Sequence, residues 1–337
     1  MSKLNLALVA AVLALSLFPS RGFAVTNAVV GTCMAGTHFT TIQAAVNAAT
    51  SGSTVSVCPG NYAEQITIQT PLTLKGVSLA TSEAAVIVPP AGGLAQLSLS
   101  EIFGNLYPQI WVHNTTGVTL TNLVIDNSAS AQCPSGGGVL VGVLYQGSSG
   151  LMSNSLIAGA ATCAHAISAF ADATTNVNFT GNVLTNCGGS CVEIDFATAT
   201  TASGNTITAF QQAAVGIEVQ SLDGPATITN NTVTGDLAAA LVVAGSADVT
   251  ITGNTIASPA AGYSIYLYGA IRALVQSNHI NGGAGIFIQD VGTVTSNTIS
   301  KNIIKGAICG LYLKRTTGDV LTPNTFSATQ NTVCPVV

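Results

Sequence analysis

One phrase is written three times between residues 201 and 258: Ala-Ser-Gly-Asn205-Thr-Ile-Thr, then Ile-Thr-Asn-Asn231-Thr-Val-Thr, then Ile-Thr-Gly-Asn254-Thr-Ile-Ala. A unit repeating with a period in the low twenties is too short to bury its own apolar face. It must stack on its neighbours, so the chain is constrained to a solenoid. Within a unit, Thr, Val and Ile alternate with polar residues while Gly and Asn punctuate the ends, which makes the units strands and turns rather than helices. A chain of 337 residues that is 48% hydrophobic and 6% charged, with Gly 35, is too apolar for disorder and lacks the period of a helical bundle. The expectation is one long all-β body.

The net charge of -5, with eight scattered Lys and Arg, leaves no cationic stripe to neutralise phosphates. Nucleic acid and anionic membrane surfaces are therefore disfavoured as partners. Lys3, the apolar run over residues 4–18 and the small residues of Gly22-Phe23-Ala24 predict a signal peptide over residues 1–24, cleaved after Ala24. No later stretch is long and apolar enough to predict a transmembrane helix, so a secreted or periplasmic β domain over residues 25–337 is expected. In an exported chain the eight cysteines read as disulfides. Connectivity is open, although Cys33 with Cys58 and Cys309 with Cys334 would close loops near the two ends, where terminal coils lack a neighbour.

From Thr37 the apolar residues Ile42, Ala45, Val46 and Ala49 have helical spacing, with a Thr N-cap and a Gly stop. This predicts a cap over about residues 37–51, its helix near 40–49, that covers the open end of the stack. Strands are expected at about 54–58, 65–68 and 72–75, and residues 89–108 read as a long surface excursion.

The run Phe39-Thr-Thr-Ile-Gln-Ala-Ala-Val-Asn-Ala-Ala, then Val55-Ser-Val-Cys-Pro-Gly-Asn-Tyr-Ala-Glu and Leu72-Thr-Leu-Lys-Gly, resembles the opening of pectin-lyase-like proteins, and the later Gly-Asn-Thr-Ile units are similar to their repeats. The resemblance implies a single-stranded right-handed parallel β-helix from about residue 37 to 325 with an N-terminal capping helix. It does not fix an activity, because the superfamily includes lyases, hydrolases, esterases and adhesins. The acidic pair and Gly-His-Gly of polygalacturonases have no counterpart at Gly189-Ser190-Cys191 and Val215-Gly216, and the Gly-Tyr-Gln-Asp-Thr of pectin methylesterases is absent.

Stacked coils place equivalent residues in ladders along the axis. Asn122, Asn154, Asn182, Asn205, Asn231, Asn254, Asn278 and Asn297 are expected to form one structural amide ladder. A second ladder consists of short strands of the form apolar-x-apolar-x, among them Ile110 to His113, Ile167 to Phe170, Val192 to Asp195, Ile217 to Gln220, Ile265 to Tyr268, Ile286 to Gln289 and Leu311 to Lys314. Alternation turns the second and fourth positions outward. Trp111, Glu193, Glu218, Tyr266, Phe287 and Tyr312 then share one row, and His113, Asp195, Gln220, Tyr268 and Lys314 the next.

Rings beside carboxylates and amides suit a sugar chain, whose C–H faces pack on the rings while its hydroxyls take directed hydrogen bonds. The substrate-binding candidates are accordingly Trp111, His113, Tyr266, Tyr268, Phe287, Tyr312 and Lys314. Glu193, Asp195 and Glu218 are the acid/base candidates, against the alternative of a cluster of solvated acids. The four separated histidines have no metal-ligand spacing, and no phosphate loop or HExxH is present, so neither metal nor cofactor is expected. Two readings of function stand open. One is an exported β-helix that binds, and as a lyase or glycoside hydrolase processes, a pectin-like or other acidic polysaccharide. The other is a non-catalytic structural or adhesive solenoid that binds protein or cell-surface material.

Overall fold

A computed structural model describes residues 25–78, 83–128, 133–160, 163, 165–210, 214–257, 262–291, 295–327 and 329–335. The expected signal peptide lies outside these residues. The chain winds through about 11 turns of a parallel β-solenoid, 3% helical, as expected for a right-handed β-helix. Three long sheets run along the axis. Sheet A has 12 strands from Thr37–Phe39 to Thr298–Ser300, sheet B has 11 between Gly60–Ala63 and Thr325–Ser327, and sheet C has 12 between Ile66–Ile68 and Asn331–Pro335.

The interior is built from in-register ladders of apolar side chains. In sheet A, Leu74, Leu120, Met152, Phe179, Ala202 and Ile228 pair in turn and are essentially inaccessible. Large and small residues alternate along this ladder, as when Phe179 is followed by Ala202, so consecutive coils interlock rather than stack as identical layers.

The repeated phrase marks the corner between sheets A and B. Its first member sits in the left-handed region: Asn122 at φ 55°, Asn154 at 48°, Gly181 at 64°, Gly204 at 63°, Asn230 at 55° and Gly253 at 66°. Gly and Asn tolerate that conformation best, which is why they recur there. The second member is the ladder asparagine. In Asn205, Nδ2 donates to Asn231 Oδ1 at 2.9 Å and to the Phe179 carbonyl at 2.9 Å, while its backbone N–H donates to the same Asn231 Oδ1. The pattern recurs through Asn182, Asn231, Asn254, Asn278 and Asn302 and ends on Asn324.

This corrects the expected membership. Asn122 and Asn154 occupy the left-handed position one residue earlier, and Ser155 stands in the ladder below Asn182. Asn297 belongs to another corner, where it donates to the Ala270 carbonyl and accepts from the Ala273 N–H.

The helix forms at Ile42–Ala48 with Thr41 as N-cap and buries Ile42, Ala45 and Val46 against the first coil. Glu64 grips its first turn, accepting from the N–H groups of Ile42 and Gln43 at 2.8 and 2.9 Å. Disulfides join Cys33 to Cys58 and Cys309 to Cys334 near the ends, and also Cys133 to Cys163 and Cys187 to Cys191. Residues 89–108 are more ordered than an irregular excursion: Ser98–Ser100 pairs antiparallel with Gly104–His113 and folds back outside the solenoid.

The ladder predicts a clear contrast. Asn231→Ala removes both side-chain donations of Asn231 and leaves the buried backbone N–H of Asn205 and one hydrogen of its Nδ2 without an acceptor. At about 1–3 kcal/mol per orphaned group, it should cost roughly 2–4 kcal/mol in urea unfolding. Asn281→Ala, at an exposed position, should cost under about 0.5 kcal/mol.

Candidate functional site

Register assembles the outer face of sheet C. Trp111, Leu144, Phe170, Glu193, Glu218, Val242, Tyr266, Phe287 and Tyr312 pair in succession along one row. His113, Gln146, Asp172, Asp195, Gln220, Ala244, Tyr268, Gln289 and Lys314 form the row beside it. One coil departs from expectation by two residues. Ala169, not Ile167, pairs with Val192, so Phe170 and Asp172 take the outward places assigned from sequence to Ser168 and Phe170.

That shift adds a fourth acid, Asp172, beside Asp195. In the structure Asp172 and Asp195 are equivalent, each followed by a left-handed residue, Ala173 at φ 49° and Phe196 at φ 47°.

The acids are not solvated. Glu193 and Asp195 are each 0% exposed, and their carboxyls lie against each other, Ser190 and Gln220 with no well-aligned hydrogen bond at any of the four oxygens. Burial drives the Glu193 carboxyl well above the usual carboxylate range, reinforced by the charges of Asp195 and Glu218. Asp195 is pushed up to about 7, mainly by burial, with Asp172 and Glu218 adding to it and hydrogen bonding opposing it. Glu218 is half-buried and also raised by burial, but Ser190 Oγ donates to its Oε2 at 3.3 Å and favours the ionised form. Asp172 is raised by burial and partly relieved by the Gln146 amide, which donates to its Oδ2 at 3.0 Å. The cluster therefore holds protons that exposed carboxyls would have released.

Toward the N-terminal end, the outer face carries an apolar layer of its own. Leu106, Val139, Val141, Leu144, Ile167 and Phe170 are buried together, with Phe103 and Trp111 packed against them. Gln146 ties this layer to the acids: its Nε2 donates to the Leu99 carbonyl as well as to Asp172, and its Oε1 accepts from Ser98 Oγ and from Trp111 Nε1. Trp111 and His113 stack on each other at 3.7 Å and are half-buried, three rungs from Glu193 and apart from the other rings.

Two rungs beyond Glu218 on the other side, the remaining aromatic candidates converge. Tyr266 stacks on Phe287 at 5.0 Å, Phe287 meets Tyr312 edge-on at 6.1 Å, and Tyr268 lies 6.0 Å from Tyr266. Tyr263, which the apolar-x-apolar-x template missed because it precedes the template by two residues, stacks on Phe287 at 4.8 Å. Phe287 is buried beneath its neighbours, whereas Tyr268 is exposed. Lys314 closes the row. It forms no ion pair among the described residues, while Arg272 is engaged by Asp248 at 2.7 Å.

Two family models match. One, described as a right handed beta helix region, covers residues 66–233; the other, described as a periplasmic copper-binding protein (NosD), covers residues 171–335. No curated protein matches the sequence. Among solved structures, a DFA-IIIase from Arthrobacter chlorophenolicus A6 in complex with DFA-III is similar at TM-score 0.61 and 14% identity, over 89% of this chain and 84% of that one. A tailspike protein, gp49 from the Acinetobacter baumannii bacteriophage Fri1, described as a capsular polysaccharide depolymerase, is similar at TM-score 0.57 and 11% identity, over 83% of this chain and 57% of that one.

The copper in one description can be tested against the donors present. Copper is held by thiolate, thioether or imidazole groups gathered at one point. Here the eight cysteines are all in disulfides and Met152 is sealed in the core. Among the described residues, no three of His, Cys, Asp and Glu are placed to hold a metal ion. These residues do not fit a copper centre. What the parallel topology, the repeat register and the structural likenesses do establish is the architecture: the chain is a right-handed parallel β-helix repeat protein, consistent with the pectin-lyase-like superfamily.

Proposed function

We propose that the chain is an exported β-helix protein that binds polysaccharide along the outer face of sheet C and uses its carboxyl cluster for acid–base chemistry on the bound sugar. The observation that carries this reading is the cluster of two fully buried acids, Glu193 and Asp195, beside the half-buried Glu218 on the outward row. Burial and mutual repulsion keep protons in the cluster, and Glu218 is the member that a sugar hydroxyl reaches. The fold likeness to a DFA-IIIase and to a capsular polysaccharide depolymerase supports carbohydrate as the ligand class. Export is supported by the apolar leader and by the four disulfides, which persist in oxidising compartments.

In this proposal Glu193, held protonated, is the proton donor, and Asp195 tunes it by proximity. Glu218, less buried and hydrogen-bonded by Ser190, is the carboxylate that accepts a proton or attacks. Tyr266, Tyr268 and Tyr312 offer ring faces and hydroxyls to successive sugar units, with the buried Phe287 packed beneath Tyr266 and Tyr312 and with Lys314 at the far end. The finer reading is an acidic glycan. Its carboxylates would raise the cluster's proton affinity further, so its binding should take up protons and strengthen as pH falls.

The raised acids fix the sign of a pH effect on stability. Their folded pKa values exceed the unfolded ones near 4, so from about pH 4 upward the native state holds more protons than the unfolded state, for Asp195 until about pH 7. Their contribution is neutral below that window; the penalty accumulates across it and for Asp195 is complete above about pH 7. Relative to a Glu193→Gln/Asp195→Asn double variant, the parent should lose on the order of 1–4 kcal/mol of stability between pH 5 and pH 8 in parallel urea titrations.

Binding and turnover should separate by residue. Tyr266→Ala or Tyr312→Ala should weaken glycan binding by about 1–3 kcal/mol with the fold intact, because each ring supplies contact area outside the core. Glu193→Gln should abolish turnover and largely spare binding, since the amide keeps the shape but cannot deliver the proton. Calorimetry and product release on one panel of acidic and neutral polysaccharides measure both. Binding without turnover in the parent would leave a binding module, and unchanged binding in both Tyr variants would remove the sugar face altogether.

A further inference from the structure

Exposure along the outer face of sheet C vanishes at Leu144, Phe170 and Glu193, each 0% exposed, and returns at Glu218 and Gln220, which are half-buried; beyond them Val242 and Phe287 stay buried between the half-buried Tyr266 and Tyr312, and Tyr268 reaches 41%. The N-terminal side of the carboxyl cluster is therefore walled, and its accessible margin is the Glu218 side.

The wall is built rather than incidental. The antiparallel turn of Ser98–Ser100 with Gly104–His113 brings Phe103 edge-on to Phe170 at 5.7 Å, one rung below Glu193. Gln146 fastens that hairpin to the cluster, holding Ser98 and Leu99 on one side and Asp172 on the other. On the opposite side nothing equally bulky separates Glu218 from Tyr266. From Glu218 to Tyr312 the open row spans four rungs, about 19 Å at the spacing of neighbouring strands.

We infer that the accessible margin of the carboxyl cluster is the terminal subsite of a one-ended groove: a linear glycan lies along the solenoid axis with its end at Glu218 and Gln220, and its body extends only toward the C-terminal rings. This rests on the sugar-face reading above and adds a direction to it. A chain threaded past the cluster in both directions would have to displace Phe170, Phe103 and the Gln146 contacts, a packed layer held by several hydrogen bonds. A chain end needs no such displacement. Its terminal hydroxyls meet Glu218, the accessible carboxyl of the cluster, while the next units cross the small side chains of Val242 and Ala244 and reach Tyr266 and Tyr268. Specificity for an end follows from the shape of one wall.

The test uses the full chain with short linear oligomers of galacturonate and of glucose. Each is supplied untagged, with a bulky fluorophore at the reducing end, and with the same fluorophore at the non-reducing end. The inference expects the tag at one end to weaken binding by about tenfold or more, and the tag at the other end to change it by less than about twofold. Gln146→Ala and Phe103→Ala, which loosen the wall without touching the solenoid core, should narrow that difference. Equal tolerance of both tags overturns the one-ended groove while leaving the sugar face standing. A strong end preference unchanged in both variants overturns the hairpin as its cause. Failure of every untagged oligomer to bind overturns the sugar-face reading, and this inference with it.

Discussion

The asparagine ladder at the corner between sheets A and B is the interaction on which the rest of the structure depends. Each amide donates to the next coil and to a carbonyl of the preceding one, so a coil cannot slip by one residue without orphaning buried groups on three rungs. That fixes the rung-to-rung register at one corner, and the short strands carry it around to sheet C. The meeting of Glu193 with Glu218 and of Tyr266 with Phe287 is a consequence of that register. A solenoid can gather a site from residues more than a hundred positions apart because each coil repeats the alignment of the last.

Inside and outside obey different rules. Within the ladder every amide from Asn182 to Asn302 is satisfied, at distances near 3.0 Å. On the outer face of sheet C, two carboxyls are buried just as completely with no well-aligned hydrogen bond, as are the side-chain polar atoms of Gln109. The same burial that destabilises the acids raises their proton affinity. The hairpin beyond Phe170 contributes to that environment by adding a second apolar layer outside the solenoid.

Much of this was legible in the sequence because period and alternation are local signals. The repeated Gly-Asn-Thr phrase and the Thr41-capped helix follow from spacing, while the end disulfides Cys33–Cys58 and Cys309–Cys334 are pairs that the sequence suggested with connectivity left open. Register was readable only where the template was unambiguous. In the coil at Ile167 the run Ile167-Ser-Ala-Phe-Ala-Asp172 fits the apolar-x-apolar template in two alignments, and only pairing with Val192 chooses between them. Asn297 was misplaced for a similar reason, since Ser296-Asn297-Thr298 resembles Gly204-Asn205-Thr206 but turns a different corner. The burial of Glu193 and Asp195 had no local signal at all. Alternation turns a side chain outward, but whether water waits there depends on neighbouring rungs and on segments distant in sequence.

The central claim is that Glu193 and Asp195 form a buried, partly protonated pair poised on an otherwise ordered face. Infrared spectroscopy of the carboxyl C=O stretch across a pH titration reads this directly, with Glu193→Gln and Asp195→Asn used to assign the bands. The account predicts a protonated carboxyl band that persists above pH 6, belongs to these two residues, and declines with a midpoint near 7 for the Asp195 component. Complete ionisation of both groups by about pH 5, as for ordinary solvated acids, would contradict it.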